Sequence, residues 1–161
     1  MNFSKPGNPI LRDRDINESV NAVCAFHENV FAERHVTLHK ALDPACPILR
    51  FDPDQIRQVL INLVQNALDS MPDGGELTVM TRVQDDHVEI VIADTGHGMA
   101  TEVLENLFQP FFTTKVGGTG LGLSVSQKVA HTHGGDILVQ SKPGAGSSFT
   151  IQLPIPQPST T

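Results

Sequence analysis

The sequence predicts an α+β domain in which helices pack on one face of a mixed sheet. Two stretches repeat apolar residues at helical spacing, Ile16 to about Arg34 and Pro53 to about Met71. Two runs alternate instead, Leu77, Val79, Thr81 and Val83 and then Val88, Ile90 and Ile92, with Asp85 and Asp86 between them as the turn of a hairpin. A third helix, Leu121 to about His133, stops at Gly134 and Gly135, and two strands follow at Asp136 to Ser141 and Ser147 to Leu153.

The elements follow in order from local chemistry. Residues 1–14, with Pro6, Gly7 and Pro9 and no periodicity, read as a linker, so the domain is expected to run from 15 to 154 and to end in a disordered tail, 155–161. Asp15 or Asn17 caps the first helix, whose inward stripe is read as Ile16, Val20, Val23, Phe26, Val30 and Phe31. Val36 to Leu42 and Pro47 to Phe51 are expected as strands. Asp52 followed by Pro53 is a capping residue with proline at the first helical position, and it opens the second helix. That helix turns Ile56, Val59, Leu60, Leu63, Ala67 and Met71 to the core and ends at the turn Pro72-Asp73-Gly74-Gly75. Between Asp94 and Leu121 the pattern dissolves into glycine-containing loop, broken only by a short helix near Thr101 to Leu107. A loop of that length and composition marks function.

Bulk composition narrows the function. Eleven Lys and Arg against 18 Asp and Glu leave a net charge of -7, which opposes binding to nucleic acid or to an anionic membrane, so any phosphate site must be local. Cys24 and Cys46 are spaced as neither a metal site nor a redox pair, which fits a reducing cytoplasm. No apolar run reaches the ~20 residues that span a bilayer, and any anchor of the parent protein lies outside this chain.

Three stretches carry chemistry. On the second helix Asn62, Asn66 and Asp69 share one polar stripe, at about 100° per residue. Such a stripe is ordinarily a solvated face, but two asparagines are poor interior helix formers, and their carbonyl oxygens are hard ligands suited to magnesium. Asp94 through Met99 reads D-T-G-H-G-M at the end of an apolar strand, holding a carboxylate where backbone can approach a ligand. Lys115 to Leu123 reads K-V-G-G-T-G-L-G-L and leads into the third helix, so open amides, a helix N-terminus and Lys115 or Thr114 can converge on an anion. Its lysine precedes the glycines, which separates it from a P-loop.

Taken together, these stretches resemble the four boxes of the histidine kinase catalytic domain, within the superfamily of gyrase, heat-shock chaperone, histidine kinase and mismatch-repair ATPases. The N box is Q-V-L-I-N-L-V-Q-N-A-L-D, residues 58–69, and the first glycine box is residues 94–99. The F box is F-Q-P-F-F-T-T-K, residues 108–115, and the second glycine box is G-T-G-L-G-L, residues 118–123. The resemblance implies the Bergerat fold, a two-layer α/β sandwich of about five strands on three helices, with ATP held under a mobile lid. It implies that Asn66 ligates Mg2+ and that Asn62 lines the phosphate region, with Asp69 nearby. Asp94 would accept the adenine amino group, and Gly96, Gly98 and Met99 would shape the base pocket. Phe111, Thr114, Lys115, Gly118, Thr119, Gly120, Leu121, Gly122 and Leu123 would line or close the phosphate side, with Asn62, Asn66 and Lys115 as the catalytic set. The short span between the F box and the second glycine box, and the turn D-S-M-P-D-G-G, look most like the nitrogen-regulation branch.

Hydrolytic members of the superfamily carry a glutamate four residues before the metal asparagine. This chain has Asn62 there, and an amide cannot take a proton from water. The resemblance therefore favours transfer to a histidine supplied by another domain. No histidine here has the acceptor context of His, then Glu or Asp, then Pro. His27-Glu28 starts that way but continues Asn29-Val30, and His27 is read as a surface position. The expected partners are ATP or ADP, the dimerisation and histidine-phosphotransfer domain of the same kinase, and a response regulator reached through the full-length protein. The isolated domain is expected to be a monomer. A degenerate, non-catalytic nucleotide-binding module is the alternative.

Overall fold

The computed structural model describes residues 7–112 and 122–156. Its elements are β1 (Arg12–Arg14), α1 (Ile16–Phe26), α2 (Glu28–Glu33), β2 (Val36–Ala41), β3 (Leu49–Phe51), α3 (Pro53–Asp69), β4 (Gly75–Gln84), β5 (His87–Asp94), α4 (Thr101–Asn106), α5 (Gly122–Thr132), β6 (Asp136–Ser141) and β7 (Ser147–Pro154). The main sheet has the order β2-β4-β5-β7-β6. Only the β2–β4 pair is parallel, so the sheet is mixed as expected. The anticipated hairpin joins β4 to β5, with Gln84 opposite His87 and Asp85 at φ 55, a conformation aspartate tolerates.

Alternation decides which sheet face meets the helices. Leu77 and Val79 of β4, Val88, Ile90 and Ile92 of β5, and Phe149, Ile151 and Leu153 of β7 are buried in one core with Ile56, Leu60, Leu63 and Leu68 of α3. Helix α3 lies centrally in the helical layer and packs on α1, α5 and β5.

The first helix differs from expectation. It divides at His27, and the residue at the centre of its inward face is His27 itself, 2% exposed, whereas Phe26 is 66% exposed. His27 is therefore a core residue and not the surface position the sequence suggested. At about 100° per residue His27 falls in line with Ile16, Val20, Val23 and Phe31, and Phe26 falls well off that line. The imidazole is tolerated because Nδ1 lies 2.8 Å from the Val23 carbonyl and the ring stacks on Phe31.

Ordered structure also begins before Asp15. Arg12–Arg14 pair antiparallel with Leu49–Phe51, so β3 joins a separate two-stranded sheet rather than the main one. At the other end, the Ile155 amide donates to the Asp86 carbonyl, 2.9 Å away.

Asp52 ties three parts of the chain together. Its Oδ1 accepts from the Asp54 and Gln55 amides at the start of α3, its Oδ2 accepts from the Ile10 amide at 2.9 Å, and its own amide donates to His133 Nε2 at 3.0 Å. Since that nitrogen accepts, His133 Nδ1 carries the proton and donates to the Val129 carbonyl. His133 in turn caps α5, where Gly134, at φ 78, and Gly135 close a Schellman motif onto His131 and Ala130. Burial alone would raise the Asp52 carboxyl pKa. The Ile10, Gln55 and Asp54 amides outweigh that and hold it below the usual carboxylate value.

A group with a depressed folded-state pKa contributes stability above its unfolded value and loses it as pH falls through the folded one. Asp52→Ala is expected to cost about 1–2 kcal/mol in urea unfolding at neutral pH, the scale of a lost N-cap. The gap between the two proteins should close as the pH is lowered through the acid range. A gap independent of pH would show that the carboxylate's charge contributes nothing.

Candidate nucleotide site

The site forms where α3, the end of β5 and the start of α5 meet. Asn62 and Asn66 are half-buried on α3 and Asp69, nearer its C-terminus, is exposed. Asn62 faces α5: its Nδ2 donates to Ser126 Oγ at 3.1 Å, and a Cβ added to Gly122 would lie 3.0 Å from its Cγ. A side chain at Gly122 would have to displace the Asn62 carboxamide, so the first turn of α5 comes directly against Asn62.

Asp94 ends β5 and is 8% exposed. Its Oδ1 accepts from the Gly96 amide at 2.9 Å and the Ser147 amide at 3.2 Å. Two backbone donors on one oxygen set the carboxylate's rotation and leave the acceptor capacity of Oδ2 unspent on them. The loop after Asp94 is braced on both sides. The His97 amide donates to the Ser70 carbonyl at the C-terminus of α3, the Gly144 amide donates to the His97 carbonyl, and the Met99 amide donates to Ser141 Oγ. A Cβ at Gly96 would strike the Ser70 carbonyl, and one at Gly98, which sits at φ 70, would strike the Lys142 carbonyl. These two glycines let the loop sit flush between α3 and the β6–β7 turn.

Of the residues singled out from sequence, Asn62, Asn66, Asp94, Gly96, Gly98, Met99 and Gly122 gather around this junction. Leu123 and Met99 are partly buried against the core. Phe111 is 75% exposed at φ 67, so its ring faces outward. Thr114, Lys115, Gly118, Thr119, Gly120 and Leu121, and with them the expected lid, lie outside the described residues. Sequence reasoning missed Ser126, Ser141 and Ser147. Only Ser126 left a trace, as a polar residue on the inward stripe of α5 beside Val129 and Ala130.

This architecture and these boxes coincide with a family model, "Histidine kinase-, DNA gyrase B-, and HSP90-like ATPase", which matches residues 51–157. The chain belongs to this family. It is 38% identical over 156 residues to the sensor histidine kinase ZraS of Klebsiella oxytoca, covering 96% of this chain and 34% of that protein. It is 46% identical over 112 residues to sporulation kinase E of Bacillus subtilis (strain 168), covering 69% of this chain and 15% of that one. The chain thus spans about a third or less of the length of these relatives. The nucleotide-free catalytic domain of histidine kinase ThkA superposes with a TM-score of 0.82 at 30% identity, over 90% of this chain and 97% of that one. A longer ThkA chain, solved in complex with the response regulator TrrA, superposes with a TM-score of 0.78 at 27% identity, over 91% of this chain and 42% of that one. The chain is therefore an ATP-binding catalytic domain of the sensor histidine kinase type.

Proposed function

We propose that this domain binds Mg-ATP between α3 and the loops that flank it and transfers the γ-phosphoryl group to a histidine on a separate helical domain of the same kinase. The observation that carries the proposal is the α3 stripe facing the first turn of α5, with an amide, Asn62, four residues before Asn66. An amide there does not deprotonate water, so the nucleophile must arrive with the acceptor, and the domain's work is positioning and neutralisation of charge.

The residue roles below belong to this proposal. Asp94 Oδ2 accepts from the adenine amino group, while Gly96, Gly98 and Met99 shape the base pocket. Asn62 and Asn66 line the phosphate side, with Asp69 nearby, and Gly122 and Leu123 bring up the N-terminus of α5. Thr114, Lys115, Gly118, Thr119, Gly120 and Leu121 complete the phosphate side by family resemblance, and Phe111 stands at its approach.

The donor set suits Mg2+. No group of three or more His, Cys, Asp or Glu that could hold a metal is present among the described residues. The carboxamide oxygen of Asn66, half-buried on α3, is a hard donor of the kind Mg2+ takes, with phosphates and water for its other positions. Bound there, the ion would neutralise charge developing on the phosphates. A chelator, or Asn66→Ala, is expected to weaken ATP binding in calorimetry at least about tenfold, the loss that follows even from removing an outer partner of a metal ligand. Affinity unchanged by both would reject the metal role.

ThkA, solved with the response regulator TrrA, supports a response regulator as the downstream partner of the full-length protein. The short interval between the F box and the second glycine box supports placement in the nitrogen-regulation branch. No helix among the described residues is long and apolar enough to cross a membrane. Cysteine usage supports a cytoplasmic location for this domain.

A further inference from the structure

Helix α5 turns Gly122, Ser126, Val129, Ala130 and His133 toward the rest of the domain, a spacing that keeps them on one face. Four of these positions have a packing or capping explanation. Ser126 does not. It is 3% exposed, at a site where an apolar side chain would fill the same space without a hydroxyl to satisfy. Its Oγ meets Asn62 Nδ2 at 3.1 Å, across 64 residues of sequence.

That bond has a positional consequence. A hydroxyl both donates and accepts, so the bond fixes where the Asn62 carboxamide lies against α5. With Nδ2 held by Ser126, the accepting Oδ1 is the Asn62 atom nearest Gly122, at the first turn of α5. An acceptor suits a hydrated cation or a water bound to phosphate there.

We infer that Ser126 is a positioning residue for the nucleotide site, holding the Asn62 carboxamide against the start of α5. The inference rests on the nucleotide-binding reading above. Ser126 acts through Asn62 and touches no reacting atom itself.

The test is a double-substitution cycle read by calorimetry with Mg-ATP, together with thermal melting of each chain. Ser126→Ala is expected to weaken Mg-ATP binding by about 3- to 10-fold, the range of one hydrogen bond, with little change in melting temperature. Ser126→Thr, which keeps the hydroxyl, should restore most of the affinity. In an Asn62→Ala background, removing Ser126 should cost nothing further, because the group it orients is gone. In the nucleotide-free chain, the side-chain amide resonances of Asn62 should shift on Ser126→Ala.

Unchanged affinity in Ser126→Ala would overturn the inference, as would an equal loss with and without Asn62 or unmoved Asn62 amide resonances. Failure of the unsubstituted chain to bind ATP would overturn the nucleotide-binding reading, and this inference with it.

Discussion

Asp94→Asn should weaken ATP binding by about 10- to 100-fold, the loss expected when a hydrogen bond to a charged group is removed and its partner is left facing a like group. The structure decides which way the new amide points. Gly96 and Ser147 both present N–H donors to one oxygen of residue 94, so an asparagine must turn its carbonyl toward them and its amino group toward the ligand. The adenine amino group would then meet a donor. Guanine carries a carbonyl at the matching position, so the same substitution should leave GTP affinity unchanged or raise it, and the ATP to GTP preference should fall or invert. Competition calorimetry with both nucleotides reads this directly. Equal binding of ATP and GTP by the unsubstituted chain would remove Asp94 from base recognition.

Incubated with ATP labelled in its γ-phosphate, this chain alone should acquire no base-stable label, and adding the helical, histidine-bearing domain of the same kinase should bring labelling up from background on that domain. The γ-phosphoryl group needs a nucleophile in line with the bond that breaks. Six of the seven histidines are engaged elsewhere in the fold, and His35 lies exposed in the turn between α2 and β2, followed by Val36 and Thr37 rather than by an acidic residue. His27 and His133 are buried and bonded to backbone carbonyls, His39 meets Glu76, His87 lies between Asp86 and Glu89, and His131 meets Asp136. His97 is held within the loop that follows β5 through the Gly98 carbonyl. Transfer in trans should be slow, because tethering in a full-length protein supplies an effective concentration on the order of millimolar that a separate domain lacks. The label should resist base and be lost in acid, as a phosphoramidate is. Stoichiometric label on one of the chain's own histidines would refute the absence of an acceptor here.

The sequence by itself determined the elements and the boxes, because the signals that define them are local. Asp52 with Pro53 marks the start of α3, and the side chain caps it as expected. The alternation from Leu77 to Ile92 sets both the β4–β5 hairpin and the face it buries, since a slip of one residue would turn every side chain over. The inward position of His27 was also legible, as it lies on the helical stripe. It was missed because an imidazole was ranked as polar and the adjacent phenylalanine as apolar.

Other features exist only through contacts between distant parts of the chain. The strand at Arg12–Arg14 is a strand because Leu49–Phe51 offers it an edge, and nothing in three exposed residues announces that partner. The rotation of the Asp94 carboxylate depends on Ser147, 53 residues away, and the placement of the Asn62 side chain on Ser126, 64 residues away. Residue type and spacing can place a carboxylate or an amide at a site. How it is held there is decided by its hydrogen bonds, and those partners come together only when the layers pack.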